Sequence, residues 1–164
     1  MAKKKKVNFS VWSIPALIGA ILLIVAACVG IFTGVVKILG VNSSTGVGLF
    51  ADVADLNAGA YGILVSVFIT IALVLVAVYL VATIMNMLGI GKAELSTKII
   101  NFVSGLMFVL FVGILLCGII FITQNQAVND TLATGVQITG GLGFYFALAG
   151  TLLIGIFGLM QTKK

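Results

Sequence analysis

Asp52 and Asp55, three residues apart, form the one pair in this chain whose side chains could share a divalent cation. Calcium takes about six to eight oxygen ligands, so two carboxylates supply too few, and ordinary solvated or helix-capping aspartates are the plainer reading. The sequence contains no histidine, and all nine of its basic residues are lysines. That removes histidine metal ligation, histidine general-base catalysis, bis-histidine haem and arginine phosphate clamps. Cys28 and Cys117 stand alone, too few for an iron–sulfur cluster or a structural zinc, and each reads as a small apolar packing residue. No glycine-rich loop leads into a lysine and a hydroxyl residue at nucleotide-binding spacing. The expectation is therefore no enzyme, no cofactor, no metal site, no nucleic-acid partner and no small-molecule substrate.

What these few polar residues interrupt is apolar sequence. Of the 164 residues, 62% are hydrophobic and only 8% charged, too little polar surface for a soluble globule. A helix needs about 20 apolar residues to cross a hydrocarbon layer in which every backbone amide must bond internally. Four stretches qualify, at about 11–36, 61–88, 99–122 and 142–160. The expected fold is an all-α integral membrane protein: a four-transmembrane-helix bundle occupying 11–160, with short tails at 1–10 and 161–164. Two extracytoplasmic loops, about 37–60 and 123–141, and one inner loop, 89–98, complete it. The first two stretches exceed the needed length and should tilt or project.

Lysine placement predicts the orientation. Lys3 to Lys6, Lys92, Lys98, Lys163 and Lys164 fall on one side of the four crossings, whereas Asp52, Asp55 and Asp130 fall on the other with only Lys37. By the positive-inside rule the termini and the 89–98 connection are cytoplasmic, in the plasma (cytoplasmic) membrane. The KKKK run reads first as a topogenic flank, although each such lysine gains about 1 kcal/mol at an anionic leaflet. Lysine as the only basic residue, with no cysteine in the loops, favours a bacterial source. Val25-Ala26-Ala27-Cys28 after that run resembles a lipoprotein signal, but VGIFTGVV beyond it stays apolar, so a retained helix is expected.

Small residues recur at helical spacing where lipid provides no hydrophobic drive for association, and close backbone approach is their expected use. The packing candidates are Ala26, Gly30 and Gly34 in the first stretch, and Gly62, Ser66 and Thr70 in the second. Gly113 and Cys117 in the third and Gly143 and Gly150 in the fourth complete the set. Asn86 and Asn101 are placed to bond across the inner hairpin, and Thr70, Tyr79, Thr83 and Ser104 suit interhelical hydrogen bonds. No charged residue lies at mid-depth, where an ion or proton pathway would need one. In the outer loops Phe50, Asp52, Asp55 and Leu56, with Val136 in the second, are the contact candidates. Asn42-Ser43-Ser44 and Asn129-Asp130-Thr131 match the glycosylation pattern.

In layout, with its longer first outer loop and glycine-rich last helix, the chain is similar to claudin-type and other small four-helix membrane proteins. It lacks the tryptophan and paired cysteines of the claudin first loop and the cysteine-cysteine-glycine of tetraspanins, so the resemblance carries no residue over. The layout implies an organising or accessory role. The expected function is that of a non-catalytic multi-pass protein acting by helix packing and outer-loop contacts. It would serve as a self-assembling structural protein or a small accessory subunit, with the bilayer, its own copies or other membrane subunits as partners. An oligomeric channel, with Thr70 and Asn86 lining a pore, is the alternative.

Overall fold

The computed structural model describes residues 10–38, 41–47, 60–90, 93–129 and 136–162. Four helices account for most of these: α1 (Ser13–Cys28), α2 (Ala60–Leu88), α3 (Ala93–Asn129) and α4 (Leu142–Thr162). Three strands join them, β1 (Phe32–Ile38), β2 (Val41–Val47) and β3 (Val136–Gly140), so the all-α expectation is corrected by a small sheet. α2, α3 and α4 are long and apolar enough to cross a membrane, which makes this a membrane protein. α1 has 16 residues, about 24 Å at 1.5 Å per residue.

The expected first helix, 11–36, is thus cut short, and the cause lies in the residues that follow Cys28. Val29 turns to extended backbone at φ −110° and ψ 150°. Beyond it Gly30 and Gly34 each disfavour helix by about 1 kcal/mol, whereas Ile31, Phe32, Thr33, Val35, Val36 and Ile38 favour strand. Long-range pairing then decides the outcome. β1 is the central strand, antiparallel to β2 on one side and to β3 on the other. Both expected outer loops therefore contribute to one sheet. Lys37, which the expected helix 11–36 left just past its end, lies in β1 opposite Asn42.

The other boundaries shift for local reasons. The inner connection is shorter than 89–98, because α3 begins at Ala93, with Glu94 in the first turn, where the helix dipole favours an anion. Glu94 also meets Lys98 at 2.8 Å on the exposed surface. α2 closes in a Schellman motif: the Ile90 amide donates to the Met85 carbonyl at 2.9 Å, the Gly89 amide to that of Asn86 at 3.3 Å, and Gly89 sits at φ 62°. At its other end α3 runs past the expected 122 to Asn129, so part of the second outer loop is helix.

Helix contacts run α1–α4, α4–α3 and α3–α2, with a lighter α1–α2 contact completing the circuit. The core between them is aliphatic and aromatic, from Ala16, Leu23 and Ala26 on α1 through Val65, Ile69 and Val76 to Ile114 and Ile154. Large apolar side chains cover the outside: Phe102 is 68% exposed, Val109 65% and Val74 63%. An exterior that apolar is stable only against a nonaqueous surround.

Candidate functional site

The junction between sheet and helices is closely built, and it begins with the orphan amides that open α4. The first amides of any helix lack partners within it. Here the Gly141 amide donates to the Ile31 carbonyl at 2.8 Å and the Gly143 amide to the Gly30 carbonyl at 3.1 Å. The link between α1 and β1 thereby caps α4 with its own backbone. Glycine at both positions is what lets the start of α4 come so near that link. A Cβ on Gly143 would lie 2.7 Å from the Val29 carbonyl oxygen and 2.9 Å from that of Ala26, and one on Gly141 would collide with the Gly30 carbonyl.

Three aromatic rings seal the space beneath the sheet. Phe32, the first residue of β1, packs on Phe121 of α3 at 4.6 Å between ring centres and on Phe144 of α4 at 5.9 Å, and all three are buried. Phe144 fits there because Gly118 of α3 offers no side chain against its ring. One strand residue therefore ties the sheet to two helices at once.

The small-residue candidates divide accordingly. Ala26 is buried on α1, but Gly30 belongs to the capping link and Gly34 to β1, paired with Thr45 and Ile138. The expected Ala26–Gly30–Gly34 stripe is corrected in direction. The buried face of α1 runs the other way, through Ser13, Ala16, Gly19, Ala20, Leu23 and Ala26. Gly19 and Gly150 mark a close approach of α1 and α4: a Cβ on Gly150 would lie 2.7 Å from the Gly19 carbonyl oxygen, and one on Gly19 2.9 Å from that of Gly150. Gly143, Gly150 and Gly62 are buried, and Gly113 packs under the Phe68 ring. Ser66 and Thr70 differ, since their hydroxyls bond the Gly62 and Ser66 carbonyls of their own helix. Cys117 is half-buried and Cys28 exposed, both as free thiols.

Of the outer-loop candidates, Phe50, Asp52, Asp55 and Leu56 lie outside the described residues, whereas Val136 opens β3 opposite Val36. Among the described residues no three His, Cys, Asp or Glu side chains gather. The sequence reading missed Gly19 and Gly118, whose neighbours are distant in the chain and leave no local trace.

The opposite end of the helices holds a polar layer. Tyr79 of α2 is fully buried, and its hydroxyl donates to Gln161 Oε1 of α4 at 2.8 Å. Asn101 accepts from the Thr162 hydroxyl of α4, which corrects the expected Asn86–Asn101 bond across the hairpin. α3 packs against α4 as well as α2, and at the level of Asn101 the α4 terminus offers the donor. Ser13 and Ser104 are fully buried and their hydroxyls lack protein partners. No protein-family model, no curated protein and no solved structure matches the chain.

Proposed function

We propose that this chain crosses the cytoplasmic membrane four times and acts without catalysis. It presents its sheet outside as the contact surface of a self-assembling organising protein or of a small accessory subunit. The observation that carries this reading is the shared sheet. Two segments far apart in sequence pair on one central strand, and carbonyls and glycines fix that strand to α4. A chain with nothing to present beyond the membrane needs only short turns there.

Lysine placement supports the orientation. In sequence Lys3 to Lys6 come before α1, Lys92 between α2 and α3, and Lys163 and Lys164 after α4, while Lys98 lies near the start of α3, the helix end away from the sheet. For α1, Val11 and Trp12 before the helix and the capped link after it supply the length that 16 residues lack. Thr70, expected with Asn86 to line a pore in the channel alternative, bonds its hydroxyl to the Ser66 carbonyl of its own helix, which supports assembly over a channel.

The test is Val35→Pro. Every amide of a central strand faces one neighbour or the other, so proline there removes a sheet hydrogen bond on either side. Affinity capture from native membranes should recover the wild-type chain with further copies or other subunits, and the variant with fewer, at unchanged helical circular dichroism. Equal recovery from both would contradict the sheet as contact surface.

A further inference from the structure

The edge of a sheet presents a row of unpaired N–H and C=O groups, which proteins ordinarily guard with charge, proline or a bulge in the edge strand. β3 forms one edge here and lies against α3, whereas among the described elements β2, the other edge, makes its contacts with β1. β2 reads Val-Asn-Ser-Ser-Thr-Gly-Val, with no charge and no proline, and its pairing with β1 runs without a bulge from Val41 to Val47. The strand itself carries none of these blocks.

One hydrogen bond fixes which of its backbone groups face outward. The Ile31 carbonyl, just before β1, accepts from the Gly141 amide, just after β3. Consecutive residues of an antiparallel strand aim their N–H and C=O at opposite neighbours. Thr33 and Val35 therefore face β3, and Phe32, Gly34, Val36 and Ile38 face β2, where their partners are Val47, Thr45, Ser43 and Val41. Asn42, Ser44 and Gly46 are left with both backbone groups directed away from β1.

We propose that this edge pairs with the same edge of a second copy of the chain, antiparallel about a two-fold axis at Ser44. The pairing rests on the sheet's being a contact surface and gives one of its edges an occupant. In that register the strand is its own complement: Ser44 meets Ser44, Asn42 meets Gly46, Ser43 meets Thr45, and Val41 meets Val47. The outward residues fall opposite outward residues, so Asn42, Ser44 and Gly46 each enter a pair that exchanges both N–H···O bonds. With no charge in the strand, nothing repels the second copy. A two-fold contact of this kind closes at two chains and joins their three-stranded sheets into one.

Disulfide trapping in native membranes tests the register. Cys28 and Cys117 are replaced by alanine in the full chain, and one cysteine is introduced by Ser44→Cys or by Asn42→Cys. Partners in a hydrogen-bonded pair stand about 5.5 Å apart between Cα atoms, within the roughly 4.4–6.8 Å that a disulfide spans. The two copies of residue 42 would be offset by four residues, roughly 13 Å along the strands, and out of reach. Mild oxidation should convert most Ser44→Cys chains to a species of twice the 17.0 kDa mass and leave Asn42→Cys chains single. Equal trapping at both positions, or none at Ser44→Cys, would overturn the pairing. Ser44→Pro in the otherwise natural chain gives a second readout. It removes an outward amide and none that bonds β1, so the chain keeps its own sheet while copies per extracted particle should fall. An unchanged copy number would overturn the pairing as well. If wild-type particles hold several copies without trapping at Ser44→Cys, or one copy among other subunits, the edge pairing alone fails. A wild-type chain without any companion removes the proposed assembly with it.

Discussion

At the scale of single residues, two glycines that look alike in the sequence are expected to behave oppositely. At Gly150 a methyl would press on the Gly19 carbonyl and on Leu23, backbone and core that cannot swing aside. Gly150→Ala should therefore cost about 1–3 kcal/mol through overpacking. At Gly105 a methyl meets nothing within 4 Å, so Gly105→Ala should be neutral or stabilising by up to about 1 kcal/mol through helix propensity. Unfolding midpoints of the two variants in the same detergent check both signs. Spacing alone could not rank these positions. It identified Gly150 and Gly143 because small residues recur on α4, but it passed over Gly19 and Gly118, whose neighbours are the distant Leu153 and Phe144. The polar ends behaved similarly: Tyr79 was recognisable as a bonding group, yet its partner Gln161 lies 82 residues away.

At the scale of elements, the helices were legible and the strands were not. α2 and α4 stand nearly where the apolar runs put them, since a hydrocarbon solvent leaves the backbone little choice but helix. The segment after Cys28 is as apolar as a membrane helix, and only its β-branched content hinted otherwise. What settles it is pairing with 41–47 through a tight hairpin and with 136–140 across about 100 residues of chain, the second of which no local pattern encodes. The α2–α3 turn is the converse, a feature written in one residue. Gly89 holds φ 62°, so Gly89→Ala should destabilise by about 1 kcal/mol and Gly89→Asn by less, asparagine being the residue that best tolerates that conformation. Thermal midpoints of the pair in one detergent give the order; equal losses would mean that the turn does not depend on the left-handed residue.

At the scale of the whole molecule, the apolar exterior, the closed small-residue interior and the anchored sheet point in the same direction. The interior is packed to backbone contact at Gly19 and Gly150, so what the chain offers to others lies on its outside and at its sheet end. Assembly is accordingly the activity proposed for it. The most direct measurement is the mass and composition of the particle extracted from native membranes with its surrounding lipid. The account predicts a whole multiple of the 17.0 kDa chain, or a larger particle containing other membrane subunits. A single 17.0 kDa chain, alone in its lipid, would contradict it.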